Sequence, residues 1–488
     1  MNSSSRNSQP KLLCAGLTNR FTRGKLLLLS AQKVFKGEME KARPATRRSM
    51  TLLPLIGATF FMVSGGPYAL EEIVQKAGYS RSILLLLLTP IIWSWPVALM
   101  IGELSAALPE EGGYYAWVRR ALGPFWGFQE AWLSLMASIF DMAIYPTIFV
   151  LYLKQFLPAA VAGQREFFVG AGIVAVCALW NIAGIKAVGD GSKALMFALL
   201  TPFLILAALA FFRHNIFPQT LTPQNTSVDL LGGMLIAMWN YMGWDNASTI
   251  AGEVHNPQRN YPLAMFGAVT LITVSYIVPV YALSRTGMDP SAFTTGSWVQ
   301  AAAHLGGSWL GFAVVAGGMI CGLGMTNALV LSYSRVPFAM AADGMMPAWL
   351  TRVHPKTGAP WASIIVCSIA WIACLPLGFD KLIAIDIMVY TLSLLLEFAA
   401  LIALRVREPN LARPFKIKGG IGVLVALSVG PAVVLSLALI ENSGEKAGPF
   451  STLIWGAILV LLGVATYYFT PARRASRAAA QVSFEAAD

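Results

Sequence analysis

The chain has 488 residues, 56% of them hydrophobic and only 12% charged, with a formal net charge of +11 and a mean hydropathy of +0.63. A soluble protein carries roughly 25% charged residues, so this composition excludes a soluble enzyme. The positive balance calls for no nucleic acid once its distribution along the chain is seen.

Residues 1–50 are polar and basic, with one KLLLLS run too short for a signal-peptide core. They read as a disordered cytoplasmic tail. Apolar runs of about 20 residues, each long enough to cross hydrocarbon, then recur along nearly the whole length. They predict an all-α integral membrane protein with 12 transmembrane helices, at about 51–77, 82–108, 124–154, 166–186, 191–212, 230–254, 262–284, 308–335, 360–378, 382–405, 420–440 and 450–470. Residues 51–405 form a ten-helix core in this reading, 406–470 two further helices, and 471–488 a second cytoplasmic tail.

Eight basic residues fall in the loops on one side: Lys76, Arg81, Lys154, Arg165, Arg213, Arg285, Lys381 and Lys446. All others fall on the side of the N-terminus. Loops rich in lysine and arginine stay inside, so both termini are expected in the cytoplasm. Short loops and the lack of an organellar presequence favour a plasma or bacterial inner membrane. The net charge is this asymmetry, and it adds attraction to anionic inner-leaflet lipid.

Two spans are interrupted in mid-course. The first breaks at Val63-Ser64-Gly65-Gly66-Pro67, and the sixth at Asn240-Tyr241-Met242-Gly243-Trp244-Asp245-Asn246. Unwound backbone survives in a bilayer only where it lines a cavity or is buried in protein. Breaks in matching places of two five-helix halves predict a five-plus-five inverted repeat and point to a secondary transporter's substrate site. At the first break the amides of Ser64, Gly65 and Gly66 lie at the positive end of a half-helix, which attracts an anionic group. Pro67 is suited to start that half-helix because its missing N–H costs nothing there. The second break offers the carbonyls of Asn240 and Tyr241. Trp239, Tyr241 and Trp244 can cover a ligand or stack on an amine.

Carboxylates inside spans are costly and usually face the bundle interior. Asp245 follows the second break and is expected to carry a proton or hold a substrate amine. Asp141 has Tyr145 one turn away on the same face. Glu397 completes a cationic-group site or pairs with a neighbour. Glu71 and Glu72 lie just beyond the first break, with one facing the vestibule. Glu103 and Glu253 are expected in gating pairs with arginines such as Arg119 or Arg335. Four cysteines (Cys177, Cys321, Cys367, Cys374) fall in spans and Cys14 in the tail, without metal-ligand or disulfide spacing. No metal-spaced His-Cys cluster, Gly-x-Ser-x-Gly or P-loop occurs, so neither enzymatic chemistry nor a cofactor is expected, and any transport runs on gradients.

Three loop segments carry a family signature: GELSAALPEEGGYYAWVRRALGPFWGFQEAW (102–132), AGEVHNPQRNYPLAM after the sixth span, and SRVPFAMAADGMMPAWLTRVHPKTGAPW (334–361). In this order they resemble the amino acid–polyamine–organocation transporter family. That resemblance implies an inverted-repeat fold relating helices 1–5 to 6–10. SGGPYALEEIVQKAG, IWSWPVAL, DMAIYP, WDNASTIAGEV and LEFAALIALRVREPNLARPFKI resemble its polyamine:proton symporter branch more narrowly. Where that branch carries a glutamate before Val-Ser-Gly-Gly, this chain has Met62, which leaves both polyamine and amino acid substrates open.

Sodium-coupled relatives use hydroxyls of helix 8, where this chain offers Thr326 and Ser332. Several proton-coupled relatives place a lysine against the first break from helix 5. The matching position here is Leu199, which leaves Asp245 to carry the proton. The resemblance thus implies proton symport by alternating access, with amino acid exchange as the alternative. A non-transporting nutrient sensor is a further alternative, disfavoured by the short C-terminal PARRASRAAAQVSFEAAD.

Overall fold

The computed structural model describes residues 48–212, 229–294, 296–377, 380–442, 444, 446–447 and 449–471. The two expected tails fall outside the described residues, apart from 48–50 and Pro471. What is described belongs to a single compact unit that begins at Thr46.

The first apolar run forms α1 (Leu52–Val63), with nine of its twelve residues buried. At Ser64 the backbone turns extended (φ −141°, ψ 138°). Helix resumes as α2 (Glu71–Thr89), not at Pro67 as the sequence predicts. Ala69 sits in the left-handed region at φ 68°, and the Pro67 carbonyl accepts Trp298 Nε1 at 2.9 Å. Residues 64–70 are therefore an unwound bridge rather than a proline kink. Gly78 (φ 72°, ψ 165°) divides α2 where the first predicted span gives way to the second. A π turn at Pro90–Ser94 leads into α3 (Trp95–Ala107).

A short amphipathic α4 (Tyr114–Leu122) is followed by Gly123 at φ 101° and the long α5 (Pro124–Phe156). Next come α6 (Arg165–Ile182) and α7 (Ile185–Phe212). The second broken span is α8 (Leu230–Trp239), a turn over 240–243, and a 3₁₀ segment Trp244–Glu253 in place of the expected α-helix. Asp229 caps α8 by accepting the Gly232 N–H at 2.7 Å. That bond first, and then Lys76, hold the Asp229 carboxyl below the usual range.

The remaining helices are α9 (Pro257–Ser284), α10 (Ser297–Gly306), α11 (Ser308–Tyr333), α12 (Arg335–Ala342), α13 (Trp361–Cys374), α14 (Asp380–Arg407), α15 (Ile421–Asn442) and α16 (Thr452–Tyr468).

Among the described residues, eight helices are long and apolar enough to cross a bilayer, and three shorter apolar ones accompany them. Predicted spans 1, 6, 9 and 12 are the ones without a long continuous helix. Spans 1 and 6 are cut by their breaks, while α13 and α16 are only 14 and 17 residues long. The helix from Ser308 has 78% of its apolar window buried, against 28% for Arg165–Ile182 and for Ile421–Glu441. α11 is therefore central, and α6 and α15 are peripheral.

One face is tightly sealed. Met50 bridges to Val254, and Ser49 N–H donates to the Glu253 carbonyl at 2.9 Å. Gly112 N–H reaches the Thr249 carbonyl at 2.9 Å, and Tyr114 N–H reaches Ser248 Oγ at 3.2 Å. Gly113 (φ 33°) lies directly on Ser248, so a side chain there would collide with the 3₁₀ segment. Arg335 pairs with Glu253 at 2.9 Å, both buried. Arg119 pairs with Asp343. Glu103 takes Arg405 at 2.5 Å and Arg413 at 3.3 Å. The expected pairing of a signature glutamate with Arg335 is found at Glu253, whereas Glu103 and Arg119 each have other partners.

Candidate substrate site

The two breaks face each other. Gly243, in the left-handed region at φ 91°, touches the Met62 carbonyl at the end of α1. Tyr276 of α9 joins them, its hydroxyl 2.7 Å from Ser64 Oγ and 2.7 Å from the Asn240 carbonyl. A phenol has one proton. The carbonyl can only accept it, so the Ser64 hydroxyl donates to Tyr276 and closes the second bond.

The π turn before α3 aims Trp93 at the second break, where its Nε1 donates to the Tyr241 carbonyl at 2.8 Å. π turns are frequent at functional sites. Both carbonyls expected to meet a ligand are therefore engaged by protein. At the first break, Ser64 N–H donates to Phe60 (2.7 Å) and Gly66 N–H to Ser64 Oγ (3.0 Å). Among the described residues Gly65 is left as the one of the three amides without a protein partner. Gly66 (φ 81°) lies against Leu199, and Gly65 against Cys321 and Met325. Leu199 thus stands at the break, where the family resemblance places it.

A cavity of about 320 Å³ opens between these elements. Val63, Ser64, Gly65, Tyr145, Trp239 and Asn240 line it, together with Tyr68, Glu72, Tyr152, Cys321 and Met325. Its mouth lies away from the sealed face, beside exposed Glu72, Thr147 and Leu151. Glu72 faces this vestibule while Glu71 is buried, accepting Gly296 N–H at 3.2 Å. Of the three expected aromatics Trp239 alone lines the cavity. Tyr241 and Trp244 are fully buried behind it, and Tyr68 and Tyr152 take their place. Tyr152 reaches the cavity from α5, where no period or motif singles it out, and Tyr68 reaches it from the unwound bridge just after Pro67. Gly66 borders the break without lining the cavity.

Carboxylates lie below the floor. Tyr145 of the cavity wall donates to Asp141 Oδ1 at 3.3 Å, and Tyr333 to Asp141 Oδ2 at 2.5 Å. Tyr333 in turn accepts from Asn246 Nδ2 at 3.5 Å, and Asn246 Oδ1 accepts from Ser332 at 2.9 Å. Asp245 is buried and accepts from Tyr390 at 2.6 Å, while the same phenol oxygen accepts Gly243 N–H at 3.2 Å. Asp386 lies against Asp141. Buried Glu130 accepts from Ser134 at 2.9 Å and Ser393 at 3.0 Å. Glu397 is buried outside the cavity. Asp386 and Glu130 were legible as charges inside apolar runs, but sequence alone gave them no neighbours. The hydroxyls of the eighth predicted span, on α11, are engaged too: Thr326 bonds its own helix at Gly322 and Ser332 bonds Asn246.

Tyr276→Phe tests the joint between the breaks. It strips the buried Asn240 carbonyl of its partner, which costs about 1–3 kcal/mol. A lowered apparent thermal midpoint with slowed substrate counterflow is expected. Wild-type values for both would show that the breaks hold each other without the phenol.

Unwound segments of two membrane helices, facing one another across a cavity open to one side and sealed on the other, define a secondary transporter. A family model described as amino acid permease matches residues 55–473, and the chain belongs to that family. It is 35% identical to polyamine transporter PUT1 of Oryza sativa subsp. japonica over 84% of this chain and 78% of that one. To a probable polyamine transporter of Arabidopsis thaliana it is 34% identical, over 90% and 91%. The serine/threonine exchanger SteT of Bacillus subtilis is 27% identical, over 86% and 94%.

Proposed function

We propose that the protein imports a polyamine, or else an amino acid, by proton symport with alternating access. The cavity shared by both breaks carries this reading. An α-carboxylate would need the amides of the first break, and two of the three are already bonded. An amine finds Glu72 in the wall, Asp141 behind Tyr145, and the faces of Trp239, Tyr68 and Tyr152 for cation–π contact. Met62 is buried and does not line the cavity, so a carboxylate missing there takes nothing from its wall. The names of the plant relatives agree with a polyamine.

Twelve crossings in a five-plus-five inverted repeat belong to the same proposal. Its support is a repeated pattern: broken span, left-handed hinge, short amphipathic helix, glycine, long helix. Gly78, α4, Gly123 and α5 in the first half correspond to Asn256 (φ 46°), α10, Gly307 (φ 84°) and α11 in the second. Residues 51–405 are then the repeat core and 406–470 two added helices. The sealed, arginine-rich face is cytoplasmic, in a plasma or bacterial inner membrane, and the cavity opens outward. Asp245 is the proton carrier.

Uptake into proteoliposomes of labelled putrescine, spermidine, arginine, leucine and alanine, with and without an inward proton gradient, tests this. Gradient-driven polyamine accumulation is expected. Uptake of an amino acid alone would move the substrate to that class, and indifference to the gradient would remove proton symport.

A further inference from the structure

Five carboxylates cluster where α5, α14 and the 3₁₀ segment meet, and the cavity explains only the upper ones. Glu130 and Asp141 are eleven positions apart on α5, and Asp386 and Glu397 are eleven positions apart on α14. Asp141 interacts with Asp386, and Glu130 with Glu397. The two helices therefore run antiparallel, with one acid pair about 16 Å from the other, three helical turns nearer the sealed face. Asp245 acts electrostatically on both pairs, so it stands between them.

The deeper pair lacks what it needs to be charged. Glu397 is fully buried, and neither of its carboxylate oxygens has a partner. Glu130 is fully buried and its Oε2 is also bare. Tyr114 comes from a separate element, α4, and its hydroxyl is buried among these same acids, beside Ser134. The charged and titratable groups facing the pair are Asp245, Tyr114 and Tyr390. Among the described residues no lysine, arginine or histidine forms an ion pair with either glutamate, and no metal-holding group of acids, cysteines or histidines occurs. Two adjacent carboxylates without a cation cannot both ionise away from water.

We propose that Glu130 and Glu397 form a second proton-binding site, placed between Asp245 and the cytoplasmic face, which receives the proton from Asp245 and passes it inward. The step moves one proton. The O–H bond at Asp245 breaks and an O–H bond forms at Glu397 or Glu130, while the negative charge moves the opposite way. Tyr114, on the element that seals the cytoplasmic face, is the hydroxyl placed to accept or donate the next hydrogen bond. This rests on the reading of the protein as a proton symporter.

The test uses full-length protein in liposomes holding a pH indicator, with labelled spermidine. Proton-driven accumulation is compared with counterflow in the absence of a gradient. For E397Q and for the double variant E130Q/E397Q, the ratio of accumulation to counterflow is expected to fall at least tenfold, with E397D restoring most of it. A wild-type ratio in both variants overturns the proposal, as does an equal loss of accumulation and counterflow in folded protein. Should the glutamine variants not fold, carbodiimide labelling of the wild type decides. Adducts on Glu130 or Glu397 that grow as pH falls support the site, and no adduct on either at any pH overturns it. If the wild type itself shows no proton-coupled uptake, the symport reading has failed instead.

Discussion

Asp245→Asn is expected to abolish proton-driven uptake, by about 100-fold or more on the scale of positioned proton-transfer groups, while the protein still inserts and folds. The geometry makes the substitution clean. Tyr390 donates to Asp245 Oδ1 at 2.6 Å, and an asparagine oxygen in the same place accepts that bond. Tyr390 also keeps the Gly243 N–H, so the second break retains its anchor. What disappears is a carboxyl able to gain and lose a proton beneath the cavity. Uptake into proteoliposomes with and without a pH gradient measures this. Undiminished pH-dependent uptake by Asp245→Asn would remove Asp245 from coupling.

Glu253→Gln is expected to act on the opposite end of the cycle. Arg335 is fully buried, with Glu253 as its ion-pair partner, and its Nη2 already lacks a hydrogen bond. Taking the charge from Glu253 leaves a buried guanidinium uncompensated, which costs about 3–5 kcal/mol. In detergent the apparent thermal midpoint should fall by roughly 5 °C or more. Part of that cost falls on the sealed face itself, because Glu253 lies in the 3₁₀ segment whose end bridges to Met50. Weakening the seal by about 3 kcal/mol shifts the balance of outward and inward states by about 100-fold. The substrate concentration for half-maximal uptake from outside should therefore rise. An unchanged midpoint together with unchanged uptake would show that the pair is neither a stability element nor a gate.

Both residues were visible in the sequence, and the reason is the membrane. Charges are so rare in apolar runs that each stands out, and Gly65, Gly66 and Pro67 interrupt a helix that little else would break. The interruption at Asn240–Gly243 was legible for the same reason. Extent was less legible than place. The first unwound stretch runs on to Leu70 because Trp298 and Val314 hold it from outside: Trp298 donates to the Pro67 carbonyl and Tyr68 donates to the Val314 carbonyl at 2.5 Å, 246 positions away. The second half of the sixth span became a 3₁₀ segment where Ser248 and Thr249 are pinned to Tyr114 of α4 and to Gly112 just before it, contacts that helix propensity cannot register.

Hydrophobic run length, the rarity of intramembrane charge and the glycine-proline break are local quantities. They determined from sequence alone that this is a helical membrane protein with two special interruptions and a carboxylate beside one of them. Which side chains share a cavity, which carbonyls are already taken, and which acids stand together were decided by the tertiary structure. Glu130 and Glu397 are 267 positions apart in the chain, and nothing in local periodicity pairs them. The packing of two antiparallel helices does, by bringing acids eleven residues apart on each into register.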